Sequence, residues 1–270
     1  MYRTDVNYKN DNNLLYHFTT ADSLLKILSN MTLKLSTFTN LNDLNESDIN
    51  CDWSNTSNHI WIKRHIQEHC KLISFSQNYI YNDVFHEAGY NHPRMWAQYA
   101  SNNTGVCIVI DEKKLKEINE KNLIGFFNKL ESVEYDHLLY DKNIKDTDDS
   151  INFIKTYYRH LFFKKHIDWT HEGEKRFFCI DGPEYLSLKN CIEFVVLGRN
   201  FSKEKYLDLV KLIILNRLEL TPHDFVKQIN SDGRISVVTD AHSIYETIKN
   251  ISVLSNEYIE FLRKNGYEIY

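Results

Sequence analysis

The run Val106-Cys107-Ile108-Val109-Ile110 carries no polar side chain. Successive side chains of a strand alternate between its two faces, so a run of this kind is apolar on both. It predicts a central strand buried on each side. Around it, helix and strand signals mix irregularly, which predicts an α+β fold with mixed, mostly antiparallel sheets and flanking helices.

Leu14 to Phe18 reads as a strand, and Thr20 as the cap of a helix carrying Leu24, Leu25, Ile27 and Leu28. Leu33 to Ser36 alternates like an edge strand, and Asn40 to Asn45 is a polar loop. A helix is expected over Trp61 to Cys70 and a strand over Leu72 to Ser76. Pro93 suits the first turn of a helix that carries Met95, Trp96 and Tyr99 and ends at Asn103-Thr104-Gly105. Further strands are expected at Phe126 to Tyr135, Arg176 to Ile180, Ile192 to Leu197 and Ile235 to Thr239. Helices are expected over Ser150 to His166, Lys203 to Leu218 and Ala241 to Lys264. The expected organisation is an α+β domain over residues 1–200 and a mostly helical C-terminal extension over residues 201–270.

The 270 residues, 42% of them hydrophobic, suffice for one large core. A net charge of −5 excludes a global electrostatic pull toward nucleic acid. The 5 cysteines are widely spaced, and Cys107 stands among apolar neighbours, as a reduced, buried thiol does. The first residues form no apolar signal region, and no stretch is long and apolar enough to span a membrane. A cytoplasmic protein is the expectation.

The chemistry concentrates at Trp169-Thr-His-Glu172-Gly-Glu174-Lys-Arg176. As a strand, this stretch sets Glu172, Glu174 and Arg176 on one face. Two like charges so close repel, and a fold keeps them where it uses or neutralises them. One reading is an acid/base pair at an active site; the other is an ion-pair ladder with Arg176 and cations of adjacent strands.

Several segments together resemble the bacterial family known as domain of unknown function 2971, over roughly Leu14 to Asn200. They are Leu15 to Thr20, Asn42-Asp43 with Glu46, Ile73 to Ser76, Met95 to Ala100 running on to Gly105 to Ile108, the Trp169, Glu172, Glu174, Arg176 set, and Val196 to Gly198. The order of His-x-Thr, Ser-aromatic-Ser and Glu-x-Glu strands is also similar to that of ADP-ribosyltransferases. That second resemblance implies an ADP-ribosyltransferase-like core and NAD as substrate. It implies that His17 holds the ribose or carboxamide end, that Ser74 and Ser76 shape the site, and that Glu174 grips the nicotinamide ribose with Glu172 as accessory carboxylate. The aromatic that would stack on nicotinamide has no clear match; Trp96, Tyr99 and Phe75 are the candidates.

Such a reaction passes through an oxocarbenium-like transition state, which a nearby carboxylate stabilises in a water-poor site. A second carboxylate can orient the nucleophile. For the other candidates a bland role stands beside the sharp one. His17 is a half-buried strand histidine or a ribose contact; Thr19 is a helix-start residue or part of a pyrophosphate nest. Asn42 and Asp43 form a turn or face a ligand. Trp96 and Tyr99 pack the core or form a ring platform. His65 and His69 share a helix face but lack the Glu of a zinc protease motif, so no metal is expected. Three functions are therefore in play. The first is an NAD-using transferase or glycohydrolase acting on a protein or nucleic-acid acceptor, as toxins and antiphage effectors do. The second is a non-catalytic nucleotide, small-ligand or protein-interaction module. The third is a metal-dependent phosphodiester hydrolase.

Overall fold

The computed structural model describes residues 13–38, 59–82, 84–137, 149–215, 220–231, 234–240, 242–244 and 246–247. In chain order the elements are β1 (Leu14–Thr19), α1 (Ala21–Asn30), β2 (Thr32–Lys34), β3 (Ser36–Thr37), α2 (His59–His69), β4 (Cys70–Ser76), β5 (Tyr79–Tyr81) and β6 (Val84–Glu87). There follow α3 (Pro93–Gln98), β7 (Val106–Asp111), α4 (Glu112–Leu123), β8 (Phe127–Ser132), β9 (Glu134–Asp136), α5 (Ser150–Phe162) and β10 (Lys164–His166). The last are β11 (Glu174–Ile180), β12 (Tyr185–Ser187), β13 (Ile192–Leu197), α6 (Lys203–Leu215), β14 (Phe225–Ser231) and β15 (Arg234–Thr239). The α+β class holds; β1–β7, β3–β4, β4–β11, β5–β6, β7–β13, β8–β11 and β14–β15 pair antiparallel, and β9–β10 and β13–β14 pair parallel.

These elements form two compact units. The first draws on Met1–Thr32, Asn78–Leu115 and Leu188–Tyr270. Its strands run in the order β15-β14-β13-β7-β1. The apolar strand β7 lies between β1 and β13, with Cys107, Ile108, Val109 and Ile110 all at 0% exposure. One face packs Tyr16, Phe18, Met95, Trp96, Cys107, Val109 and Phe194 into a single cluster. The Thr20 hydroxyl accepts the Ser23 N–H and caps α1, as its sequence position predicts.

The second unit comprises Leu33–Gln77 and Lys116–Ser187. Here β4 lies between β3 and β11, and β8 pairs the far side of β11. Leu72, Phe178 and Ile180 meet Ile62 and Ile66 of α2 and Phe153, Ile154 and Phe162 of α5. The face that carries this apolar core continues along the same strands into a polar end.

Several sequence expectations need correction. The helix from Pro93 ends at Gln98, before Asn103, because Ser101, Asn102 and Asn103 all adopt positive φ. The helix expected to reach His166 stops at Phe162. The next carbonyls are taken by tertiary partners: Arg176 binds the Phe162 oxygen and the Glu134 N–H binds that of Phe163. Lys164–His166 is then free to pair with β9 as a short parallel strand. Helix α4, the hairpin β5–β6 and strands β12 and β14 were not expected. In the C-terminal region β14 joins β13, so a strand pair follows α6 there. Of the helix expected over Ala241 to Lys264, nearly all lies outside the described residues.

Close backbone approach makes Gly105 a sensitive point in the first unit. A Cβ there would sit 2.3 Å from the Thr19 carbonyl oxygen and 2.9 Å from that of Ala100. Gly105→Ala is expected to destabilise the protein by about 1–3 kcal/mol. An unchanged midpoint in urea unfolding would refute this fit.

Candidate functional site

Sequence alternation alone would set Glu172, Glu174 and Arg176 side by side on one strand. The structure begins the strand only at Glu174. Ile167–Glu172 is a 3-10 helix, closed by Gly173 in the left-handed region at φ 52°. Glycine takes that conformation without the steric penalty of a Cβ. The Gly173 carbonyl then accepts the Gln77 N–H, which docks the turn beside β4. Glu172 thus approaches Glu174 from a turn and not along a strand.

Both carboxylates are buried, at 2% and 5% exposure, together with Lys165 and Arg176. Arg176 binds Glu174 through two N–H groups, Nε to Oε1 at 2.6 Å and Nη2 to Oε2 at 2.9 Å. Its Nη1 donates to the Phe162 carbonyl at 2.8 Å. That oxygen closes the last turn of α5, where a cation is favourable. Lys165 Nζ donates to Glu172 Oε2 at 2.7 Å and to Glu174 Oε2 at 3.2 Å. The same ammonium stands 4.7 Å from the centre of the Trp169 ring, a cation–π contact. Two carboxylates therefore meet two cations, and the formal charge of the quartet is zero.

The electrostatics follow from this packing. Burial pushes the Glu174 carboxyl upward, but the Arg176 charge and hydrogen bonds, then Lys165 and the Ser74 hydroxyl, outweigh it and hold the group well below the usual carboxylate range. Glu174 stays ionised at neutral pH and acts as an acceptor. Its backbone N–H donates to the Tyr135 hydroxyl at 2.9 Å. Burial foremost raises that phenol above its ordinary value, so Tyr135 stays protonated.

The strand register brings in both serines. Ser74 lies opposite Arg176, and Ser76 opposite Glu174. Paired residues of adjacent strands share a face, so both hydroxyls belong to the quartet's side of the sheet. Ser76 is 1% exposed, and its Oγ makes no hydrogen bond among the described residues. A buried hydroxyl left without a partner costs about 1–3 kcal/mol.

The remaining expected site residues distribute as follows. His17 and Thr19 are half-buried on β1 in the first unit, opposite Ile108 and Val106. Trp96 is wholly buried; its Nε1 donates to the Tyr90 carbonyl at 2.7 Å and Phe18 packs edge-on at 5.3 Å. It is a core residue and, as it stands, presents no open ring face. Tyr99 packs against the same cluster, and Phe75 is buried at 2% exposure. Asn42, Asp43 and Glu46 lie outside the described residues. His65 and His69 stack at 4.3 Å, with His69 Nδ1 2.5 Å from Asp181 Oδ1. Among the described residues no group of three or more His, Cys, Asp or Glu could hold a metal ion.

Sequence reasoning missed Lys165 and Tyr135. Lys165 was hidden by reading residues 150–166 as one helix. Its spacing from Glu172 is that of a loop return, which has no periodic signature. The charge balance was a usable signal: two buried carboxylates call for two cations, and Arg176 supplies one.

Removing one member of a buried ion pair strands its partner. Arg176→Met is therefore expected to lose about 3–5 kcal/mol in urea unfolding at neutral pH; a loss below about 1 kcal/mol would show the pair to be dispensable. Glu174 has a folded-state value below its unfolded one. Its contribution is complete above the unfolded value, near 4.3, and is lost as pH falls through the folded value. Between about pH 5 and pH 2, the wild-type stability should accordingly fall more steeply than that of Glu174→Gln. Parallel curves would contradict the assignment.

Comparison with curated proteins finds no match, and comparison with solved structures finds none. Residues 95–177 match a family model described as "Protein of unknown function (DUF2971)". The matched stretch contains Met95 to Ala100, Gly105 to Ile108 and the Trp169, Glu172, Glu174, Arg176 set; the other segments of the resemblance, Leu15 to Thr20, Asn42-Asp43 with Glu46, Ile73 to Ser76 and Val196 to Gly198, lie outside it. By that match, residues 95–177, with the buried ion quartet at their end, are similar to the DUF2971 family.

Proposed function

We propose that this protein is a non-catalytic small-ligand binding module, with its site at the polar end of the β4–β11 face. The observation that carries this reading is the neutrality of the quartet. Glu174 is ionised and forked by Arg176, and Lys165 bridges it to Glu172. A carboxylate committed to two cations is a poor general base, and a neutral cluster adds little field to a developing positive charge. The Ser76 hydroxyl on the same face, without a hydrogen-bond partner among the described residues, supports binding, because a ligand could bond it. Free, buried Cys70, Cys107, Cys179 and Cys191 support a reducing, cytoplasmic setting. Among the described residues no helix is long and apolar enough to cross a membrane.

A second reading, an NAD-using ADP-ribosyltransferase or NAD glycohydrolase of the toxin or antiphage type, has one specific support. The Ser74-Phe75-Ser76 strand is paired in register with the strand that opens on Glu174. Incubation with NAD separates the two. The binding module is expected to release no nicotinamide, while its melting temperature rises by several degrees with a ligand near saturation. Nicotinamide release that vanishes in Glu174→Gln would replace the first reading with the second.

A further inference from the structure

The surroundings of the Lys165 ammonium have the make-up of a cation receptor. Glu172 accepts from it at 2.7 Å, Glu174 at 3.2 Å, and the Trp169 ring faces it at 4.7 Å. Two carboxylates and an aromatic face are what a desolvated ammonium requires, since hydrogen bonds replace its hydration and the ring quadrupole adds attraction. The buried Ser76 hydroxyl, opposite Glu174 and without a partner among the described residues, is a further oxygen on the same face. Such an oxygen can take a third N–H. The walls belong to separate elements: Trp169 and Glu172 to the 3-10 helix, Glu174 to β11 and Ser76 to β4.

The occupant comes from a lightly anchored piece of chain. Lys165 is the middle residue of the three-residue strand β10, whose sheet contains only β9. A two-stranded pairing this short is marginal by itself. Tethering to the same chain gives Lys165 a high effective concentration in the box.

We propose that Glu172, Glu174 and Trp169 form a binding site for a primary ammonium group, held in this structure by Lys165 as an internal stand-in. The ligand is an amine-bearing small molecule or a lysine side chain of a peptide, which would enter in place of Lys165. Arg176 stays in position through its bonds to Glu174 and the Phe162 carbonyl. It leaves one net negative charge for the incoming cation. This names the ligand class of the binding module and so rests on that reading.

Removing the stand-in exposes the site. Lys165→Ala in the full chain is expected to lower the melting temperature by roughly 10 °C. The probe n-butylammonium chloride should restore at least half of that loss, whereas tetramethylammonium chloride, which has no N–H to donate, and potassium chloride should not. Replacing Trp169 by Leu in the same background should weaken the rescue about five-fold, for the loss of one cation–π contact. Equal rescue by Nα-acetyl-lysine amide would identify a peptide lysine as a competent source, and rescue by butylammonium alone a small amine. If Lys165→Ala does not fold unaided, recovery of native circular dichroism on dilution from urea only with butylammonium supports the site. Butylammonium no better than potassium chloride in either format overturns it. Nicotinamide release by the wild type would remove the non-catalytic reading while leaving this result standing, so the two failures are distinguishable.

Discussion

The guanidinium of Arg176 reaches three oxygen contacts from one buried position. It grips both oxygens of Glu174 and the final carbonyl of α5. Arginine suits this because its planar fork matches a carboxylate while a remaining N–H points elsewhere. The first pair settles the charge at the start of β11; the third bond ends α5 where the chain must turn into β10. Because β10 carries Lys165, the end of α5 also decides where the second cation lies. Glu174 can then stay ionised inside the second unit, at a depth where an unpaired charge would cost several kcal/mol.

That arrangement shapes the chemistry open to the site. An acid/base role needs a carboxyl whose protonation is free to change near neutral pH, and here the cations hold Glu174 far on the ionised side. What remains is a charge-balanced pair of carboxylates, an aromatic face and a buried hydroxyl without a partner among the described residues. These recognise a polar or cationic group better than they transfer a proton. The DUF2971 match spans all four members of this quartet and the Trp169 ring. In this chain the motif packs two carboxylates against two cations.

The first unit is held by different physics. Strand β7 has no polar side chain before Asp111 and is covered on each side, so its burial needs no compensation. Its tight point is the backbone: Gly105 sits against Thr19, and a Cβ at Gly198 would come within 2.3 Å of the Asn103 carbonyl. His17 and Thr19 lie on β1 beside this strand. Their neighbours across the strand pair are apolar, which fits a structural place in the sheet.

Local pattern alone determined a good part of this protein. An apolar run placed the central strand β7, the Thr20 cap placed α1, and helical spacing placed α2 and α6. Those signals are legible because they depend on a residue and its near neighbours. The Trp169 to Arg176 stretch was also visible as a place where charge must be used or neutralised, and both outcomes could be read from its letters. Only the tertiary structure shows which cations meet the two carboxylates, because those partners come from elsewhere. Lys165 arrives from a strand that its sequence disguises as helix, and the Phe162 carbonyl is available only where a helix ends against another element. Side-chain type tells which charges a fold must bury. Which cation meets which carboxylate depends on distances of a few ångströms that only the packed chain sets.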